Sequence, residues 1–430
     1  MQISKSTWSY VASFAVVGAV AIVIARSNME RASDASRMAP APMRTQRATS
    51  REGLEKTIQE MDRRLRERPA DAEAAETLAD ALMRRARVSG NAGLALHAEE
   101  VLRRVLREDP QSYGTRRMLG AVLLSQHRFR EAIAQAELVR GQRPDDDWNY
   151  GVIGDAHIEL GEYDEAFAAF QRMMDLRPTA GAYARAAYAL ELRGSLDRAL
   201  RAMQMSTDAT SPGDAESIAW HHAQLGDLYR QVGRAADAEY EYEWAAHVFP
   251  EHPFAERGMA ELLEQSGNLR GALATLEALM ARTPSPDVAA RIGDLHAALG
   301  ESDEAARSYA LAEAGWRSEA PNPAQLARFL ADRDRDLPEA VRLAEGAAAN
   351  RHDIFTEDAL AWVYFKSGRV RDARAAIARA LRTGTRDRSI LSHAAAIEGK
   401  ARPERRLRTR RASPRAIGAG AELEARRRIS

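Results

Sequence analysis

Two clusters in this 430-residue chain bring together side chains capable of metal chemistry. His221 and His222 adjoin Trp220, and imidazole is a common zinc ligand. Neighbouring residues on a helix do not face one another, so this pair cannot close on one ion from a single element. The HExxH spacing that would place two imidazoles on one face does not occur. Asp332, Asp334 and Asp336 alternate with Arg333 and Arg335. A calcium loop needs glycine where Leu337 stands and a bidentate Glu where Leu343 stands, and the arginines would neutralise the ligands. A solvated loop between helices is expected instead. Asp145, Asp146 and Asp147 follow Pro144 and suit the N-terminus of a helix, where carboxylates cap free N–H groups. No phosphate-binding glycine loop and no GxSxG elbow is present. The chain has no cysteine, which removes thiolate metal sites, iron–sulfur clusters and thiol nucleophiles. The sequence therefore predicts no catalytic residue, no metal and no cofactor.

The elements that position these residues follow from a repeat. A small residue recurs at Gly120, Gly154, Ala187, Gly226, Ala260, Gly293 and Ala361. Seven residues later stands Gly161, Gly194, Gly233, Gly267, Gly300 or Gly368, with His127 in the remaining case. Twelve residues after each small residue comes an alanine: Ala132, Ala166, Ala199, Ala238, Ala272, Ala305 and Ala373. Pro144, Pro178, Pro250 and Pro284 follow after twelve more. This is the pattern of a helical hairpin. The small residue and the alanine let two helices cross closely, glycine supplies the positive φ that ends the first, and proline stops the second. An alanine-rich composition with only 6% aromatics suits such packing.

On these marks the chain resembles the tetratricopeptide repeat family, in the bacterial membrane-anchored or exported form. The match is fullest in DWNYGVIGDAHIELGEYDEAFAAFQRMMDLRP (147–178). The resemblance implies an all-α solenoid of about nine hairpins, starting near 72, 113, 147, 180, 219, 253, 286, 321 and 354, each touching only its neighbours. The unit near Pro321 is degenerate, with Arg328 in place of the small residue and no turn glycine. A capping helix within 51–71 precedes the array at 72–387, and a terminal helix at 388–399 follows it.

The resemblance also implies a concave groove lined by first helices. Position 2 of the repeat supplies Trp148, Trp220 and Phe254; position 9 supplies Asp155, Tyr188, Asp227, Glu261, Asp294 and Trp362; Glu159 and Arg230 lie on the next turn. This reads as an acidic groove with aromatic anchors, fitted to a protein segment bearing basic and apolar side chains. The competing reading makes the acids consensus residues and the aromatics packing. Function is accordingly expected to be non-catalytic: a membrane-tethered scaffold for a protein partner, with a periplasmic assembly or secretion chaperone, or an adaptor for a separate enzyme, as the alternative. No nucleic-acid ligand is expected.

The ends differ from the array. Trp8–Ala25 is uncharged and apolar, and its 18 residues would span about 27 Å as a helix. Segment 1–26 is read as an inner-membrane anchor with the repeats on the exported side, with a cleaved signal and a periplasmic product as the alternative. Residues 27–50 read as a flexible linker. Lys+Arg and Asp+Glu are equal at 62 each, yet the tail 400–430 carries eleven basic residues against three Glu. That tail reads as disordered or unevolved, or as a basic ligand for the groove.

If Trp8–Ala25 is an uncleaved anchor, the mature chain begins near Met1 and resists carbonate extraction from membranes. An N-terminus at Arg26, or a soluble product, overturns that expectation.

Overall fold

The computed structural model describes residues 50–319 and 323–399. The proposed anchor, the linker up to residue 49 and the basic tail lie outside them. Among the described residues no helix is long and apolar enough to cross a membrane.

Twenty helices and no strand occur among the described residues. Helix α1 (Arg51–Glu67) precedes nine hairpins: α2 (Ala72–Ser89) with α3 (Gly93–Glu108), α4 (Tyr113–Ser125) with α5 (Phe129–Gln142), α6 (Asp147–Leu160) with α7 (Tyr163–Leu176), α8 (Ala180–Leu192) with α9 (Leu196–Asp208), α10 (Ala215–Gln231) with α11 (Ala235–Val248), α12 (Pro253–Gln265) with α13 (Leu269–Arg282), α14 (Pro286–Ala298) with α15 (Ser302–Glu319), α16 (Pro323–Asp332) with α17 (Leu337–Ala348), and α18 (Ile354–Lys366) with α19 (Val370–Ala380). Helix α20 (Arg388–Gly399) ends the array. First helices of consecutive hairpins pack on one another, as in α2 on α4, α10 on α12 and α16 on α18, and no comparable contact joins consecutive second helices among the described residues. First helices therefore line the inside of the curve.

The hairpin marks act as their chemistry requires. All six turn glycines have positive φ, from 68° to 83°, and His127 takes the same conformation at 60°. The degenerate hairpin manages without glycine because Asp334 and Asp336 adopt positive φ, which aspartate tolerates better than most residues. The crossing alanines are buried in every repeat.

The small residue is explained by what lies sixteen positions on. Where it is Gly154, Gly226 or Gly293, that partner is aromatic, and an added Cβ would meet the ring of Phe170, Tyr242 or Tyr309 at 2.4, 2.6 and 2.4 Å. Where it is Ala187, Ala260 or Ala361, the partner is Met203, Leu276 or Ile377. Volume is conserved at the crossing, as close packing demands. Gly120 is the exception: its partner is Ala136, and a Cβ there would meet nothing nearer than 3.6 Å.

One expected boundary moves. α10 begins at Ala215, not near 219, because Asp214 caps it by accepting from the Ser217 N–H. His221 and His222 thus sit in its second turn. His221 is buried with Nδ1 at 2.8 Å from Thr210 Oγ1, and His222 Nδ1 lies 2.6 Å from Glu241. Their ring nitrogens serve packing contacts on two different sides of the helix.

The two kinds of glycine give opposite expectations. Gly120→Ala should raise stability by about 0.5–1 kcal/mol through helix propensity alone. Gly154→Ala should lower it by about 1–3 kcal/mol by displacing Phe170. Urea midpoints of the two variants measure this, and shifts of the same sign would refute the crossing argument.

Candidate functional site

The residues expected to line a groove stand on the first helices, and their carboxylates are matched within the protein. Asp155 on α6 accepts both arms of Arg185 on α8, at 2.6–3.0 Å. Asp227 accepts from the Tyr242 hydroxyl at 2.7 Å, and Arg230 reaches Glu261 on α12 at 2.8 Å. Burial disfavours the Arg230 charge, but Glu261 and Asp227 outweigh it and raise its pKa. Asp294 on α14 meets Tyr309 at 3.0 Å and Arg333 at 2.7 Å. Arg291 joins Glu264 at 2.5 Å. Each of these inter-repeat pairs links one first helix to the next repeat. Position 9 carries a ladder along the inner face, not a row of free charges.

The aromatics are similarly engaged. Arg117 lies over Trp148 at 4.6 Å, and Trp148 packs against the core of the first repeats. Trp220 is part of the fifth repeat's core and has Arg87 at 5.9 Å. Phe254 packs beside Arg257 and His252. Trp362 donates from its indole to Asp332 at 2.6 Å and stacks on His393 at 4.1 Å. The aspartates singled out as a loop motif are therefore tied to α18: Asp332 through Trp362, and Asp334 through Lys366 at 2.8 Å.

Tyr188 differs from all of these. It is 37% exposed, and no hydrogen bond engages its hydroxyl among the described residues. Burial nevertheless pushes its phenol well above the ordinary range, and Glu159 and Glu191 add to the shift. Burial also raises Glu159 and Glu191.

The coil closes on itself. Sequence reasoning had each hairpin touching only its neighbours; the structure corrects that in two places. At the first, Arg84 of α2 forks onto Asp214 at 2.8 and 3.1 Å, with Glu216 at 3.3 Å, across 130 residues of chain. Arg87 also reaches Glu216, and Arg51 donates to the Glu251 carbonyl at 2.8 Å. At the second, Arg351 binds Glu159 at 2.6 Å, the His352 N–H donates to the Leu160 carbonyl at 3.2 Å, and the Ile354 N–H donates to the Tyr163 hydroxyl at 2.8 Å. Arg388 donates to the Gln231 carbonyl at 3.1 Å. A Cβ on Gly161 would collide with His352 at 2.3 Å, and one on Gly194 with Gly384 at 2.4 Å. These two turn glycines serve close approach as well as φ. No such neighbour lies near Gly233, Gly267, Gly300 or Gly368.

Among the described residues no group of three or more imidazoles and carboxylates could hold a metal.

The model of the tetratricopeptide repeat family matches residues 152–215 and 257–321. No curated protein matches the chain. Among solved structures, the crystal structure of the APC/C hetero-tetramer Cut9–Hcn1 is 14% identical with a TM-score of 0.50. The alignment covers 81% of this chain, which spans only 60% of that one. The human IFIT1 dimer with m7Gppp-AAAA is 16% identical with a TM-score of 0.48, covering 77% of each chain. PilW, a type IV pilus biogenesis factor, is 19% identical with a TM-score of 0.40, covering 51% of this chain and 99% of that one.

The first closure contains a buried histidine. His252 is wholly buried, neither ring nitrogen has a partner, and burial pushes its pKa down to about 3, with Arg87 and Arg51 adding to the effect. The separated or unfolded state takes up a proton near pH 6.5 and the closed state does not. Stability is therefore full above pH 6.5 and falls as pH drops from there towards 3, by up to about 1.4 kcal/mol per unit. His252→Phe should flatten this slope, read by hydrogen exchange in α1 and α2. An unchanged slope would show that other groups control the junction. Taken together, the period, the hairpin geometry and the matched segments show an all-helical solenoid of hairpins, with tetratricopeptide repeats matched at 152–215 and 257–321.

Proposed function

We propose that the chain is a non-catalytic scaffold that holds a protein segment against the inner face of its coil. Tyr188 carries this reading. Its ring and hydroxyl are unengaged beside Glu159 and Glu191, whereas the other predicted inner-face residues already have internal partners. A part-exposed aromatic ring near carboxylates suits a basic or apolar anchor of a partner. Repeat solenoids present such extended concave surfaces as their binding faces. The membrane tether through Trp8–Ala25, with the repeats exported, belongs to the same proposal and rests on the apolar run alone.

Tyr188→Ala should weaken capture of the natural partner, crosslinked from native membranes, about tenfold, the effect of a typical aromatic hot spot. Asp294→Asn, which touches only the ladder, should leave capture unchanged. Arg351→Ala loosens the second closure and should strengthen capture by freeing Glu159 beside Tyr188. Full capture by a folded Tyr188→Ala variant would move recognition away from the inner face.

A further inference from the structure

The outer side of the first two hairpins carries a recess of about 320 Å³ lined by Arg103, Leu106 and Arg107 of α3, Arg116 and Leu119 of α4, and Gln135 of α5. No carboxylate lines it. On the inner face, the arginines of the ladder end on acids; here two do not. Arg116 donates to the Gln135 Oε1 at 2.8 Å and to the Pro110 carbonyl at 2.5 Å. Both acceptors are neutral, so the guanidinium is fixed in place while its charge stays uncompensated. Arg107 is exposed and has no ion pair among the described residues. Arg103 shares Glu99 with Arg128, at 2.6 and 2.7 Å. Leu119 is buried in the floor, and Leu106 is half-buried beside it. Leu138, one turn beyond Gln135 on α5, is 54% exposed.

We propose that this recess binds an acidic peptide segment in which a carboxylate is followed by an apolar side chain. The carboxylate meets Arg116 and Arg107, whose mutual repulsion an anion relieves and whose planar forks match its geometry. The apolar side chain lies on Leu106 and Leu119. Gln135 has its oxygen committed to Arg116, so its amide NH₂ is available for a peptide carbonyl. The surroundings favour a short acidic peptide over a polyanion. Glu99, Glu100, Glu131 and Glu137 stand on the same two outer helices, and they break the continuous basic track that a nucleic-acid backbone requires. None of the six lining residues takes part in either closure, so the site is accessible in the closed coil. It is separate from the inner-face reading and stands or falls without it.

The test uses the full chain and a fluorescein-labelled eight-residue peptide with two Glu-Leu pairs spaced by Gly-Ser, read by anisotropy. Arg107→Gln with Arg116→Gln should weaken binding at least tenfold and lessen its salt dependence. Arg107→Gln alone changes an exposed side chain, keeps the fold and should weaken binding several-fold. Replacing Glu by Gln in the peptide should cost at least tenfold, and Leu by Ser several-fold. Tyr188→Ala should leave peptide binding unchanged. Equal binding by the arginine variants overturns the proposal. So does competition by inorganic phosphate at the peptide's own concentration, which would reduce the recess to a site for any anion.

Discussion

Arg84 sits at 6% exposure with its guanidinium forked onto Asp214 and bracketed by Asp80 and Glu216. Burial opposes its charge, but the acids more than offset this and raise its pKa. Such a cation is expensive to leave alone: removing one partner of a buried pair typically costs about 3–5 kcal/mol. The first hairpin is thereby held to the fifth, and the curvature of everything between is set by that distance. α10 carries an extra N-terminal turn to supply the acids, and Arg87 comes to rest near Trp220 as a consequence. A coil this tight brings the last hairpins back over the third and fourth, where Arg351 finds Glu159.

A free solenoid behaves as a chain of nearest-neighbour units, and its ends open independently. Two closures change that. Opening the first hairpin breaks the Arg84 fork, exposes His252 and frees Arg51 from Glu251. Opening the last exposes Glu159 and the Tyr163 hydroxyl together. Ends that would fray are the parts tied back into the body. Access to the inner face then depends on sequences 130–200 residues away from the residues that line it.

The repeat was legible because it is local. Small residue, turn glycine and alanine recur at fixed spacing, and each acts within one hairpin or on the next. Even the degenerate unit could be placed by its period, although the two aspartates that take over from the absent glycine were read only as a solvated loop. The closures left no such trace. Gly161 and Gly233 occupy the same repeat position, yet one admits another strand of chain and the other faces open space. Nothing within the repeat separates them. The same holds for charge. Position 9 identified Asp155, Asp227, Glu261 and Asp294, but the arginines that meet two of them fall off the period: Arg333 in a loop and Arg185 at an unmarked helical position. Residue types at periodic positions were readable, and neutralisation by aperiodic ones was not.

That difference changes what an inner-face acid is for. Asp155 between α6 and α8, Glu261 between α10 and α12, and Asp294 between α14 and the following loop each bridge adjacent repeats. A partner that competed for these acids would have to replace the arginine it displaced, and the exchange of one part-exposed ion pair for another yields little net free energy. Affinity is better drawn from groups with nothing to give up. Tyr188 on the inner face and Arg107 and Arg116 on the outer face meet that condition for opposite reasons. The tyrosine lacks a hydrogen-bond partner, and the arginines lack a countercharge. A solenoid that matches most of its charges internally leaves only a few side chains that the fold does not consume.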